Sequence, residues 1–483
     1  MSDKGVGNTN MNCMLLTGSI EYKGINFTFS FKGESLHLIP PADKKDEIRM
    51  KWFMTEIAEG MYIFGPLPKV DAPFLIGLCS ETGRTMVFIP AEGAFISNQN
   101  SVLAISIAAY IECGISAPLV TKITFTSPEI DYIAPISQGY LGFASPKGCR
   151  TKGILNLMFE DCSESLTEKR AFVVDGINVQ VSFGISKTFN NKVGQAPLTI
   201  NSAMMLEFAP TKDYTFLLRL WRVAKEFIQY MCYRRNVFLS GAVLSSTADN
   251  RVSYNSATLY VINEAGDNEP EVLRKKQYIS LSHIFGYEHL ILNDIAAHTL
   301  YTQHLPYTHA SGKRINAARF IMTTAAFERE FSRIYPAGIK KSETLLKAEQ
   351  EASAQLQTLI SGSSGKLKSV YKHMQSLPKS SLLQAEIIRV GKDFHKILSI
   401  FGKQLYSLRD ADVPYSDIGE RLANLRNQYA FGNLDINLSE ATLLDIAFLE
   451  RIIYVMQLTF YGFDTKSIKQ AINELFGCML YIP

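Results

Sequence analysis

The chain has 483 residues, of which 47% are hydrophobic and 20% charged, with a formal net charge of +3. This balance argues against a long disordered chain, and the length predicts two to four folded domains. A net charge so near zero also means that any attraction to nucleic acid must come from a local patch.

In chain order, the opening "MSDKGVGNTNMNCMLL" lacks the basic-then-apolar order of a secretion signal. "SIEYKGINFTFSFKG" alternates around a glycine, and "RTMVFIP" and "KITFTS" are short β-rich runs. The most apolar run, "SVLAISIAAYIECGISAPLV", carries Glu112 and is broken by Pro118. Its β-branched content predicts one or two buried strands and no membrane span. "AFVVDGINVQVSFGIS" predicts a hairpin turning at Asp-Gly. Residues 1–205 are thus expected to form a β-rich domain, and 206–311 a mixed α/β part of the same half. In that second part, "DYTFLLRLWRVAKEFIQYMCYRRN" spaces apolar residues by three and four, predicting one long helix that packs on the sheet. The strands resume after it at "VFLSGAVLSS" and "SATLYVI".

Near Ser311 the pattern becomes helical, with helices expected over 316–335, 342–360, 380–407, 416–430, 439–462 and 464–480. "SGSSG", Pro378 and Pro414 punctuate them. Residues 312–483 are expected to be one bundle. Its charge is uneven. From Ile339 to Arg409 there are twelve Lys and Arg against five Asp and Glu; from Asp410 onward, five against ten. Lys366, Lys368, Lys372, Arg389, Lys392 and Lys396 make the basic stretch a candidate RNA face, the bland alternative being a solvated helix surface.

Seven scattered cysteines with no CxxC pair fit a reducing compartment and give no zinc framework, so a cytoplasmic protein without metal or cofactor is expected. "SGSSGKLKS" has Gly-Lys but neither the upstream glycine nor the following Ser or Thr of a P-loop. His283, His289, His298, His304 and His309 cluster in sequence without ligand spacing, which favours separate surface or core roles. "RVGKDFH", from Arg389 to His395, matches a loose Arg-then-His pattern at the level of chance and is expected in mid-helix.

One late stretch carries more weight. "LRNQYAFGN", residues 425–433, resembles the signature of the HEPN superfamily of helical bundles: Leu-Arg-Asn, two residues, then Ala-His-Gly. Leu425, Arg426, Asn427, Ala430 and Gly432 agree with it, and Phe431 stands where that signature has histidine. The β-rich half and the helix "LLRLWRVAKEFIQYMCYRRNVFLSGAVL" resemble the N-terminal region of ApeA-type anti-phage proteins, which end in such a bundle. The implied fold is α+β: a β-rich N-terminal sensor region followed by an all-α HEPN-like helical bundle.

The resemblance implies an abortive-infection endonuclease that cuts RNA, tRNA in particular, without metal. It works as a homodimer and is triggered by a phage protein. A histidine would move protons at the ribose 2′-hydroxyl and the leaving oxygen, while Arg426 held the phosphate and Asn427 supported it. Phe431 has no titratable nitrogen, so the enzyme as written is expected to be inactive or impaired, or else to be a non-catalytic RNA- or protein-binding module. Glu328 and Glu330 on the first bundle helix are weaker candidates for orienting Arg426. As i,i+2 neighbours only one of them can face it, and exposure is the expectation for both.

Overall fold

Hairpin geometry follows the turn residues closely. The structure, a computed structural model, describes residues 15–99, 101–114, 116–135, 149–151, 154–156, 167–189, 198–239, 241–247, 253–262, 266–267, 269–339, 343–376, 382–430 and 438–482. Strands β1 (Leu16–Tyr22) and β2 (Ile25–Lys32) pair antiparallel across Lys23 and Gly24, with φ of 53° and 73°. Positive φ at both central residues defines the primed turn whose twist matches that of the flanking strands. The Asp-Gly hairpin repeats the device, joining β13 (Arg170–Val174) to β14 (Ile177–Phe189) with φ of 50° at Asp175 and 80° at Gly176.

The chain divides into two units: Met1–Ile228, Asn236–Asn268 and Leu292–Ala297 form the first, and Gln229–Arg235, Glu269–Ile291 and His298–Pro483 the second. In the first unit β3 (Ser35–Ile39), β6 (Leu75–Cys79), β7 (Thr85–Pro90) and the long β9 (Val102–Cys113) join β1 and β2. Strand β8 (Ser97–Gln99) pairs with β9, while β4 (Met54–Ala58) with β5 (Met61–Phe64), and β11 (Cys149–Thr151) with β12 (Ile154–Asn156), pair separately. The order β9-β3-β2-β1-β6-β7 returns to β9, closing a barrel without free edges. Alternate residues point inward, so Ile20, Phe27, Phe29, Phe31, Leu36, Leu38 and Phe88 fill it. Gly18 and Gly77 flank the Phe29 ring, and a Cβ at Gly18 would collide with that ring and with the Leu78 carbonyl oxygen. Glycine is there for close approach.

Beyond the barrel, β9 also pairs with β17 (Ser253–Val261). From there the sheet continues through β16 (Gly241–Thr247), β10 (Val120–Phe125) and β15 (Leu198–Thr211) to β14 and β13. The apolar run at 101–120 thus supplies β9 and the start of β10. Helix Tyr214–Cys232 begins at Asp213, whose carboxylate accepts the Thr215 and Phe216 N–H groups. It packs on the sheet through Phe216 against Phe208 and Phe227 against Phe183. Its residues from Gln229 onward belong to the second unit.

The second unit is helical. We label its longer helices α1 (Ala317–Ile334), α2 (Glu343–Ser361), α3 (Gly365–Ser376), α4 (Leu382–Asp393), α5 (His395–Leu405), α6 (Tyr415–Ala430), α7 (Glu440–Phe460) and α8 (Thr465–Leu475). Helix α7 is buried on nearly every side and packs against α1, α5, α6 and α8. Asp445, Glu450 and Gln457 on this helix each find a partner. Asp445 accepts two bonds from Arg421, at 2.6 and 2.9 Å, and one from Tyr406; Glu450 accepts from Arg319 at 2.5 Å; Gln457 donates to Glu330.

Three expectations need correction. The helix at 365–376 is additional to those the sequence predicts. The helix expected over 380–407 breaks at Phe394, whose φ of −102° and ψ of 16° leave the helical region, so "RVGKDFH" straddles a bend and does not lie in mid-helix. No proline marks this bend. Instead the Tyr415 ring lies against Gly391 before it, and the Tyr415 hydroxyl shares a hydrogen bond with His395 Nδ1, 3.2 Å, after it. The last helix ends at Leu475 and not at 480, because Gly477 adopts φ 59° and closes the C-terminus.

Candidate functional site

Helix α6 turns Ile418, Leu422, Leu425 and Tyr429 to the core, at helical spacing. Arg426 follows Leu425 and therefore leaves the core at its edge. In α1, Phe320, Phe327 and Phe331 play the same inward role, and Glu328 follows Phe327 to the same kind of edge. The two side chains meet in a fork: Arg426 Nη1 lies 2.6 Å from Glu328 Oε1, and Nη2 donates to Oε2 at 3.2 Å. Both are about one-third exposed, at 36% and 31%, so the pair reaches solvent.

Glu330 turns the other way. It is fully buried, accepts from Gln457 Nε2 at 3.1 Å and pairs with Arg333 at 3.4 Å. The expectation that both glutamates are exposed is overturned, since α1 is covered on one face by α7 and its edge residue Glu328 is taken by Arg426. One glutamate, Glu328, faces the arginine, and the i,i+2 spacing allows no more than one.

A third carboxyl joins them that the sequence reading does not single out. Glu386 of α4 precedes the buried Ile387, and its Oε2 is buried without a hydrogen-bond partner. Burial first, and then the neighbouring Glu328, push its pKa up to about 7, while Arg426 pulls it down. Burial likewise raises Glu328, against the attraction of Arg426. The site is therefore one arginine facing two carboxyls, of which Glu386 exchanges its proton near neutrality. The one signal in the sequence is a lone acid among apolar residues in an otherwise basic stretch.

This arrangement sets a pH dependence. The folded pKa of Glu386 lies above its ordinary value of 4.5. The stability it contributes is fully present below that value and is lost as pH rises through about 7. After allowing for solvent screening of a partly exposed group, the loss is about 1–2 kcal/mol. Glu386→Gln should therefore show a smaller drop in denaturation midpoint from pH 4.5 to pH 8 than the parent. An unchanged drop would remove Glu386 from the account.

The remaining candidates are scattered. Asn427 is exposed one residue beyond Arg426. Phe431 and Gly432 lie outside the described residues. Lys366 and Lys372 are exposed and Lys368 partly buried on α3, which also exposes Leu367, Val370 and Met374. Lys392 on α4 and Lys396 on α5 are exposed. Arg389 is already engaged: it donates to Asp393 at 2.7 Å and lies over the Tyr335 ring, whose hydroxyl donates to the same Asp393 oxygen. The clustered histidines part company in space. His283 pairs with Glu474 at 2.9 Å, and His304 is 2% exposed. Among the described residues no group of three His, Cys, Asp or Glu could hold a metal ion, and no helix is long and apolar enough to cross a membrane.

Comparison with protein-family models, with characterised proteins and with solved structures finds no match to this chain.

Proposed function

We propose that the chain is an anti-phage RNA endonuclease of the ApeA type, acting in the cytoplasm, with a HEPN-like bundle whose catalytic power is impaired by Phe431. The observation that carries this reading is the meeting of Arg426 with Glu328 at a solvent-reaching edge, with Glu386 beside them. A guanidinium fixed by a carboxylate fork is preorganised to meet a phosphate, which would compete for its donors and stabilise developing negative charge. RNA, tRNA in particular, is the substrate; the β-rich unit senses a phage protein; two copies of the chain form the working unit.

One observation favours a second reading. Both terminal nitrogens of Arg426 are engaged by Glu328, and residue 431 offers no imidazole. A non-catalytic module that binds RNA or protein would need no more than this. The two readings separate on the Phe431→His variant, which should cut RNA only under the first.

RNA binding itself is tested on the basic helices. Replacing Lys368, Lys372 and Lys392 together by glutamate should weaken RNA binding and flatten its dependence on salt, since fewer phosphates are then neutralised and fewer counterions released. Equal affinity and equal salt slope in the parent and the triple variant would leave these lysines as a solvated surface.

A further inference from the structure

A pocket of about 320 Å³ opens in the helical unit where the N-terminus of α1 meets the segment before it. Its cationic lining is dense. Arg235 and Arg314 are exposed at its wall, and Arg319 reaches it from α1. No carboxylate occurs among the described lining residues. Arg319 is committed to Glu450 and to the carbonyls of Ser311 and Gly312. Arg235 and Arg314 have no carboxylate partner among the described residues.

Helix α1 adds its own donors. Asn316 caps it by accepting the Arg319 N–H at 2.9 Å, and its carbonyl takes the Phe320 N–H. Ala318, in the first turn, lines the pocket, at the end of the helix that carries partial positive charge.

The independent observation is His304. It lines the pocket at 2% exposure, and neither ring nitrogen makes a hydrogen bond of good geometry, the Tyr301 backbone being a weak neighbour. Burial, and then the charge of Arg319, push its pKa down to about 3 against the opposing Tyr301 carbonyl, so the ring is neutral at physiological pH with one N–H to give. A buried donor left unpaired is costly unless something accepts from it. Two unpaired guanidiniums, a helix N-terminus and an unpaired imidazole all call for an anion with several acceptor oxygens. The rim is apolar and aromatic: Tyr307 is 61% exposed and Met322 42% exposed. A flat ring could stack there once the anion is seated.

We propose that this pocket binds a nucleoside monophosphate, its phosphate held between Arg235, Arg314, His304 and the start of α1, and its base lying against Tyr307. The site stands apart from Arg426 and does not depend on the RNA-cutting reading.

Calorimetric titration of the full-length protein with adenosine 5′-monophosphate, inorganic phosphate and adenosine tests it. Saturable binding of the monophosphate is expected, with phosphate at least roughly tenfold weaker and no binding of adenosine. Arg235→Gln and Arg314→Gln should each weaken the monophosphate by roughly tenfold or more. Both arginines are exposed, so the melting temperature should not move. Binding of inorganic phosphate as tight as that of the nucleotide would overturn the nucleoside half of the proposal. Adenosine binding as well as its monophosphate, a double Arg235→Gln, Arg314→Gln variant that binds like the parent, or no heat up to millimolar nucleotide would each overturn it entirely.

Discussion

Phe431→His is expected to create or restore ribonuclease activity that persists in EDTA and leaves 2′,3′-cyclic phosphate ends. A positioned imidazole contributes about 10²–10⁴-fold through proton transfer, and a phenyl ring contributes none of it. On the proposed reading the phosphate contact comes from Arg426, which stands five residues before position 431 in the sequence and is held by the Glu328 fork. Adding Arg426→Ala to the histidine variant should abolish the gain, because the phosphate loses its pair of parallel donors. Arg426→Ala should also leave Glu386 and Glu328 facing each other without a cation, so the Glu386 pKa should move further up. The measurement is cleavage of purified tRNA and total RNA, with and without extract from infected cells. Intact RNA under both conditions would reject the catalytic reading and leave the binding module standing.

The second large effect concerns the frame of the bundle. Glu450→Ala is expected to destabilise the helical unit by about 3–5 kcal/mol, because it strands the Arg319 guanidinium in the core. The pair is 2.5 Å apart, with Arg319 10% and Glu450 6% exposed, so water is a poor replacement for the missing partner. Burial alone raises the Glu450 carboxyl, and Arg319 draws it back down, which shows the direction of their mutual dependence. Replacing both, as Arg319→Met with Glu450→Leu, should recover most of the loss, since two apolar side chains need neither charge nor partner. Thermal melting of the single and double variants beside the parent decides the matter. A single variant as stable as the parent would mean that the pair contributes nothing.

Much of the architecture was legible from local chemistry. Asp175-Gly176 announces its hairpin because few residues tolerate positive φ at two successive positions, whereas the turn at Lys23-Gly24 carries no such signal at its lysine. The amphipathic spacing from Tyr214 and from Ala317 announces helices, because a 3.6-residue repeat can bury only one face. Period and turn chemistry are short-range properties, so one strand or helix at a time can be read from them.

Tertiary structure alone decided the rest. Closure of the barrel through β9 depends on pairings of strands distant in sequence, such as Met86 with Glu112, which no local period encodes. The break at Phe394 comes from Tyr415, twenty-one residues further on. The transfer of Glu269–Ile291 to the helical unit depends on packing between segments far apart in the chain. At the candidate site, the sequence by itself marked Arg426 and offered two glutamates without choosing between them. The packing of α1 made Glu328 the partner and buried Glu330. Only the approach of α4 brought in Glu386, whose ionisation reflects the burial and charges around it and not its neighbours in sequence.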